Sequence, residues 1–141
     1  MGNLVKNLIK RGCITIKDNS EIDELVSLLN KNSIGCIVVL SSINNTLVGV
    51  VSERDIIRNF SHITNNIKTK VHEVMTNKVI TCSLSTSSKE LMEIMTNNRI
   101  RHIPIIERKK LIGIVSIGDV VNRLIKNYAD ETRQLREYIY S

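Results

Sequence analysis

A chain of 141 residues, 42% hydrophobic and 24% charged, can bury a core as one domain or as two packed halves; its composition excludes a disordered or fibrous protein. The formal charge of +6 attracts polyanions, yet Lys and Arg are scattered and aromatics make up only 3%, so no arginine-rich run or base-stacking platform accompanies them. No apolar run reaches the length of a membrane span and nothing at the start resembles a signal peptide, which makes a cytoplasmic protein the expectation.

Residues 5–9 form a short apolar–polar stretch, and residues 13–16 read as a brief strand. Asp18, Asn19 and Ser20 are N-cap candidates for an amphipathic helix that carries Ile22, Leu25, Val26, Leu28 and Leu29 on one face. A strand over 34–40 turns through the loop 41–46 and returns as the apolar run LVGVV at 47–51. Ser52, Glu53, Arg54 and Asp55 follow, with the next helix expected to start at Asp55. Residues 61–70 are polar and read as a surface connector.

The order then recurs. Residues 71–75 repeat the first stretch and 79–82 the brief strand; Ser85, Thr86 and Ser87 are the cap candidates. Leu91, Met92, Ile94 and Met95 mark the helix, and 100–106 the strand. After the loop 107–110, LIGIVSIGD at 111–119 restates LVGVVSERD at 47–55, with a helix expected from Asp119. Thr15 and Thr81 stand 66 residues apart, Asp55 and Asp119 64; the difference is taken up by the shorter second loop. Two tandem β-α-β-β-α units therefore account for most of the chain, and each needs the other to bury its sheet, which predicts sheet-to-sheet packing. The expected limits are 1–62, 63–126 and a helical tail at 127–141. The tail's Tyr128, Leu135, Tyr138 and Ile139 suit an amphipathic helix that docks on a second subunit or packs within the monomer.

A strand that stops at a helix start leaves backbone N–H groups open, and a Ser and an Asp beside them cap the helix or hold a polar ligand. A carboxylate accepts both vicinal hydroxyls of a ribose, a guanidinium such as that of Arg54 offers a fork to phosphate, and Gly118 allows close approach to the backbone. Three dispersed cysteines argue against a disulfide framework or a zinc site; Cys36 and Cys82 read as small core residues. His62 and His72 read as surface residues, and no His, Asp and Glu set has metal-ligand spacing.

The doubled Gly-x-x-Ser-x-x-Asp ends together with Arg101, His102, Ile103 and Pro104 resemble a tandem pair of CBS domains, a Bateman module, over most of the chain. The resemblance implies an α+β fold of two CBS repeats related by a pseudo-two-fold axis, with adenosine nucleotides (AMP, ADP, ATP) or S-adenosylmethionine bound in clefts between them. It also implies association of two modules into a disc. By the same resemblance Asp55 and Asp119 hold ribose hydroxyls, Ser52 and Ser116 lie at the phosphate or ribose, and Thr15 and Thr81 edge the adenine. Gly35, Cys36, Ile37 and the 101–104 segment wall the base. Arg101, His102, Pro104 and Gly118 then belong to the second cleft, and Arg54 to the first, which has Val38 at the proline position.

The residues also fit plainer roles: Asp55 and Asp119 as helix caps, Ser52 and Ser116 as backbone partners, Thr15 and Thr81 as strand residues. Three functions follow. The first is a non-catalytic regulatory module that binds an adenosine nucleotide, with no required cofactor, and signals to a partner. The alternative is a basic nucleic-acid-binding or protein-interaction module with vestigial clefts. An enzyme is not expected, because no nucleophile–base pair, metal set or Gly-rich phosphate loop is present in the sequence.

Overall fold

The computed structural model describes residues 4–140. Helix α1 (Leu4–Leu8) runs into a single 3-10 turn, Ile9–Arg11, and then β1 (Thr15–Lys17), α2 (Ile22–Asn32), β2 (Cys36–Leu40), β3 (Leu47–Ser52), α3 (Glu53–Arg58) and α4 (Phe60–Asn65). The second half continues with α5 (Val71–Val74), α6 (Ser88–Asn98), β4 (His102–Glu107), β5 (Lys110–Ser116) and α7 (Ile117–Tyr140). The fold is α+β, and the repeated unit is visible in detail. β2 and β3 pair antiparallel with a register shift between Val39 and Leu40, and β4 and β5 shift between Ile105 and Ile106, the equivalent place. Leu40 faces Leu47 and Ile106 faces Leu111, which confines the two-residue difference to the turn.

The two sheets differ by a strand. β1 pairs parallel with β2, Thr15 facing Val38. In the second half the expected strand at 79–82 reduces to one bridge, Cys82 to Ile105. Cys82 donates to the Pro104 carbonyl at 3.0 Å and accepts from Ile106 N–H at 2.9 Å. Continuing that ladder toward Ile80 would require an N–H on residue 104, which proline lacks.

Each half keeps its own core, and the halves exchange their first helices. Ile22, Leu25 and Leu29 of α2 pack with Ile16, Ile37, Val39 and Val51, and with Val71 and Val74 of α5. Leu91 and Met95 of α6 pack with Ile103, Ile105, Val115 and Val120, and with Leu4 and Val5 of α1. Each apolar face thus closes over a helix that precedes the other repeat, which holds the repeats together.

Several expectations need correction. The helices expected from Asp55 and Asp119 begin two residues earlier, at Glu53 and Ile117. Helix α2 is capped by Glu21 without a side-chain bond, while Asp18 accepts from Ser42 N–H at 2.9 Å and ties down the hairpin; in α6, Ser87 is the cap. The connector is helical as far as Asn65. The tail continues α7 without a break as 24 helical residues, with Tyr128, Leu135, Tyr138, Ile139 and Tyr140 all exposed.

Candidate functional site

A cleft of about 310 Å³ opens between the repeats. One wall is the β3–α3 corner (Ser52, Glu53, Arg54, Asp55, Arg58), with Gly35 and Cys36 before and within β2. The facing wall is the connecting segment Thr76, Lys78, Val79 and Ile80, together with Arg99, Ile100, Arg101, His102 and Pro104. Thr76 is held there because it exchanges two backbone hydrogen bonds with Val50, at 3.0 and 2.8 Å. Only a glycine at 49 lets it come so close, since a Cβ there would lie 2.9 Å from the Thr76 carbonyl oxygen.

Ser52 is the N-cap of α3 and Asp55 its third residue, bound reciprocally as a capping box. Asp55 Oδ2 accepts from Ser52 N–H at 2.8 Å and from its hydroxyl at 3.1 Å. Among the described residues, Oδ1 accepts only a long bond from the Thr76 hydroxyl, at 3.3 Å. Half of the carboxylate caps the helix and the other half is available to the cleft. Five cations line the same space (Arg54, Arg58, Lys78, Arg99, Arg101), against the two carboxylates of Glu53 and Asp55. Among the described residues, none of the five is in a salt bridge.

The repeat-equivalent corner is arranged differently. Asp119 Oδ2 accepts from Ser116 N–H at 2.8 Å, as in the first repeat, but Arg11 now spans both oxygens, at 3.0 and 2.9 Å. The same guanidinium donates to the Ile114 carbonyl at 2.8 Å. Burial alone would raise the Asp119 carboxyl. The hydrogen bonds from Arg11 and Ser116 outweigh that, and it titrates below the usual carboxylate range; the Arg11 guanidinium is raised in turn by the same bond.

The CBS domain pattern matches residues 5–62 and 71–126. The chain is a CBS-domain protein, with two such domains in tandem. It is 38% identical over 125 residues to the "CBS domain-containing protein CBSX3, mitochondrial" of Arabidopsis thaliana, covering 86% of this chain and 61% of that one. It therefore spans under two thirds of that relative's length. Among solved structures, the CBS-domain containing protein ATU1752 from Agrobacterium tumefaciens superposes with a TM-score of 0.76 at 34% identity, covering 84% of this chain and 90% of that one. CBS domain protein PAE2072 from Pyrobaculum aerophilum, complexed with AMP, does so with 0.74 at 28% identity, over 83% and 88%. CBS domains are generally regulatory and non-catalytic. No helix among the described residues is long and apolar enough to cross a membrane.

Against the CBS pattern, the structure brings Gly35, Cys36, Ser52, Arg54, Asp55, Arg101, His102 and Pro104 together in one cleft. Arg101, His102 and Pro104, expected beside Asp119, also wall the Asp55 cleft; His102 faces Ser116 across the β4–β5 pair and feels the Asp119 charge. The side chains of Ile37 and Ile103 are fully buried, one in each core, and do not line it. Thr15 lies in a separate groove with Cys13, Leu40 and the hairpin loops, Thr81 is exposed, and Gly118 sits exposed at the start of α7. Sequence reasoning missed Glu53, Arg58, Thr76, Lys78 and Arg99. Arg58 lies one turn beyond Arg54, a signal that was present; Arg99 projects from a left-handed residue (φ 54) that ends α6, which periodicity does not mark.

Burial pushes the Cys36 thiol up to about 12, with help from the nearby Asp55 charge, so the one sulfur in the cleft is no nucleophile at neutral pH. Burial also lowers His102, as does Arg101, while Asp119 and Glu53 pull the other way.

Proposed function

We propose that this CBS pair is a non-catalytic regulatory module that binds an adenosine nucleotide at the Asp55 cleft and transmits its occupancy to a partner. The observation that carries the reading is the concentration of five cations, without carboxylate partners among the described residues, in the cleft where the fold leaves one carboxylate oxygen of Asp55 available. A ribose edge supplies two hydroxyl donors to Asp55 Oδ1, and the phosphates supply the negative charge the arginines lack. The positive lining favours ATP or ADP over AMP, and all three over the cationic S-adenosylmethionine. The cleft volume suits a small ligand, and the AMP held by the Pyrobaculum relative supports the base and sugar.

Signalling in this reading passes through a second copy. Ile57 and Phe60 are 73% and 62% exposed at α3–α4, and Val121 and Ile125 are 38% and 62% exposed on α7. Ile57 and Val121 stand at the 64-residue repeat offset, so the two apolar patches are pseudo-symmetric and suit the disc that the family resemblance implies. The test is calorimetric titration with AMP and ATP. Saturable binding that Asp55→Asn weakens, with the fold retained, supports the reading. Absence of binding at millimolar nucleotide overturns it.

A further inference from the structure

The two Ser–Asp corners of this chain are unequal: Asp55 Oδ1 meets the Thr76 hydroxyl, whereas Asp119 is spanned by Arg11. At the offset of 66 residues that relates Thr15 to Thr81, Arg11 corresponds to Asn77. Asn77 leaves Asp55 to the cleft. Arg11 instead spans both oxygens of Asp119 and reaches the Ile114 carbonyl. We propose that Arg11 is a built-in occupant of the second cleft: the chain loads nucleotide at Asp55 alone, and the Asp119 cleft opens only when Arg11 is displaced. This rests on the Asp55 reading for the identity of the ligand but not for the closure itself.

Three observations converge on closure. First, the guanidinium is presented by a rigid support: Leu4 and Val5 of α1 are sunk in the second core, and the turn at Ile9–Arg11 ends at Gly12. Gly12 has φ 77 and ψ −173, a conformation essentially confined to glycine, which reverses the chain just after Arg11. Second, the Ile114 carbonyl corresponds to that of Val50, which accepts from the Thr76 backbone N–H; in the second repeat a side chain has taken the place of that backbone contact. Third, the repeat equivalents of Arg54, Arg58, Lys78, Arg99 and Arg101 are Gly118, Asn122, Gly12, Ser33 and Gly35, none of them charged. At the positions that make the first cleft positive the second carries no charged side chain, and the guanidinium of Arg11 is committed to Asp119.

The exchange is unfavourable for a nucleotide on chemical grounds. Two neutral hydroxyl donors would replace a bidentate, charge-assisted pair that is intramolecular and already assembled. Asp119 is only 17% exposed in the pair and Arg11 49%, so the cost of opening falls on the carboxylate, which would lose its charged partner without a phosphate-binding cation being gained.

The experiment uses the full chain, with AMP and adenosine as probes, in wild type, Arg11→Asn, Asp55→Asn and Asp119→Asn. Wild type is expected to bind one AMP per chain, weakened in Asp55→Asn and kept in Asp119→Asn. Arg11→Asn is expected to gain a second site, seen with adenosine, at least about fivefold tighter than any such site in wild type and removed by adding Asp119→Asn. Carbon-13 titration of the Asp119 carboxyl, which needs no ligand, should move upward in Arg11→Asn. The closure is overturned if wild type binds two AMP with Asp119→Asn losing one, if Arg11→Asn gains no site, or if the Asp119 titration is unmoved by removing Arg11. A gained adenosine site with no binding at Asp55 would uphold closure and overturn the Asp55 reading alone.

Discussion

Gly49 and Gly113 stand at the same place in the two repeats, yet alanine should affect them very differently. A Cβ on Gly49 would meet Met75 Sδ at 2.6 Å and the Thr76 carbonyl oxygen at 2.9 Å, and the second of these is backbone with nowhere to go. Relief requires the 75–76 segment to leave β3, which breaks both hydrogen bonds between Val50 and Thr76. Two backbone bonds at about 1 kcal/mol each, with about 1–2 kcal/mol of overpacking, give a loss of about 3–4 kcal/mol. In a chain of this size that lowers Tm by about 8–15 °C. A Cβ on Gly113 meets Ile105 Cδ1 at 3.3 Å, the movable end of a side chain, and Ile9 Cα and Cγ2 at the ordinary contact distances of 3.8 and 4.0 Å. Gly113→Ala should therefore shift Tm by less than about 4 °C. Differential scanning fluorimetry on both variants decides the matter. Equal shifts, or a Gly49→Ala protein that melts with wild type, would refute the close approach of the connecting segment and with it the wall that Thr76 and Lys78 give the cleft.

Acid should act through Asp119. Its folded pKa is depressed, so its contribution to stability is present above the unfolded carboxylate range, near pH 4, and is lost as pH falls through the folded value; urea unfolding between pH 6 and 3 should show a shallower loss in Arg11→Asn. His102 has the opposite consequence at higher pH. Its folded pKa is depressed by burial, so the unfolded chain takes the proton first and stability declines as pH falls from about 7 toward the folded value, a decline His102→Gln should flatten. Ile57→Glu paired with Val121→Glu should convert a dimer to monomer in sedimentation velocity; a dimer that survives both changes would refute the patch at α3 and α7 as the contact.

The repeat was legible because it is written in the apolar runs, the Ser and Asp spacing and the loop lengths, all of them local. It predicted the β-α-β-β-α order and the pair of carboxylates. What escaped has physical reasons. The third strand of the second sheet is missing because Pro104 cannot donate, and the sequence shows a proline without showing which neighbour is deprived. Asp55 lies inside α3 rather than at its start because Ser52, the last residue of β3, is itself the cap. The tail is one helix with the unit before it, since nothing between Ile117 and Tyr140 breaks it. That Arg101, His102 and Pro104 also reach the Asp55 cleft depends on how the repeats pack. So does the pairing of Arg11 with Asp119 across 108 positions of chain; no periodicity within one repeat records it.

The central claim is that Asp55 grips a ligand sugar within a positive cleft. Isothermal titration of wild type and Asp55→Asn with AMP tests it most directly, because the amide keeps the shape and most of the cap but loses the charge. Replacing a charged acceptor of two hydroxyls should weaken binding about 10- to 100-fold, with Tm lowered by only a few degrees. Identical affinity in the two proteins, or no heat from wild type at millimolar AMP, would contradict the account.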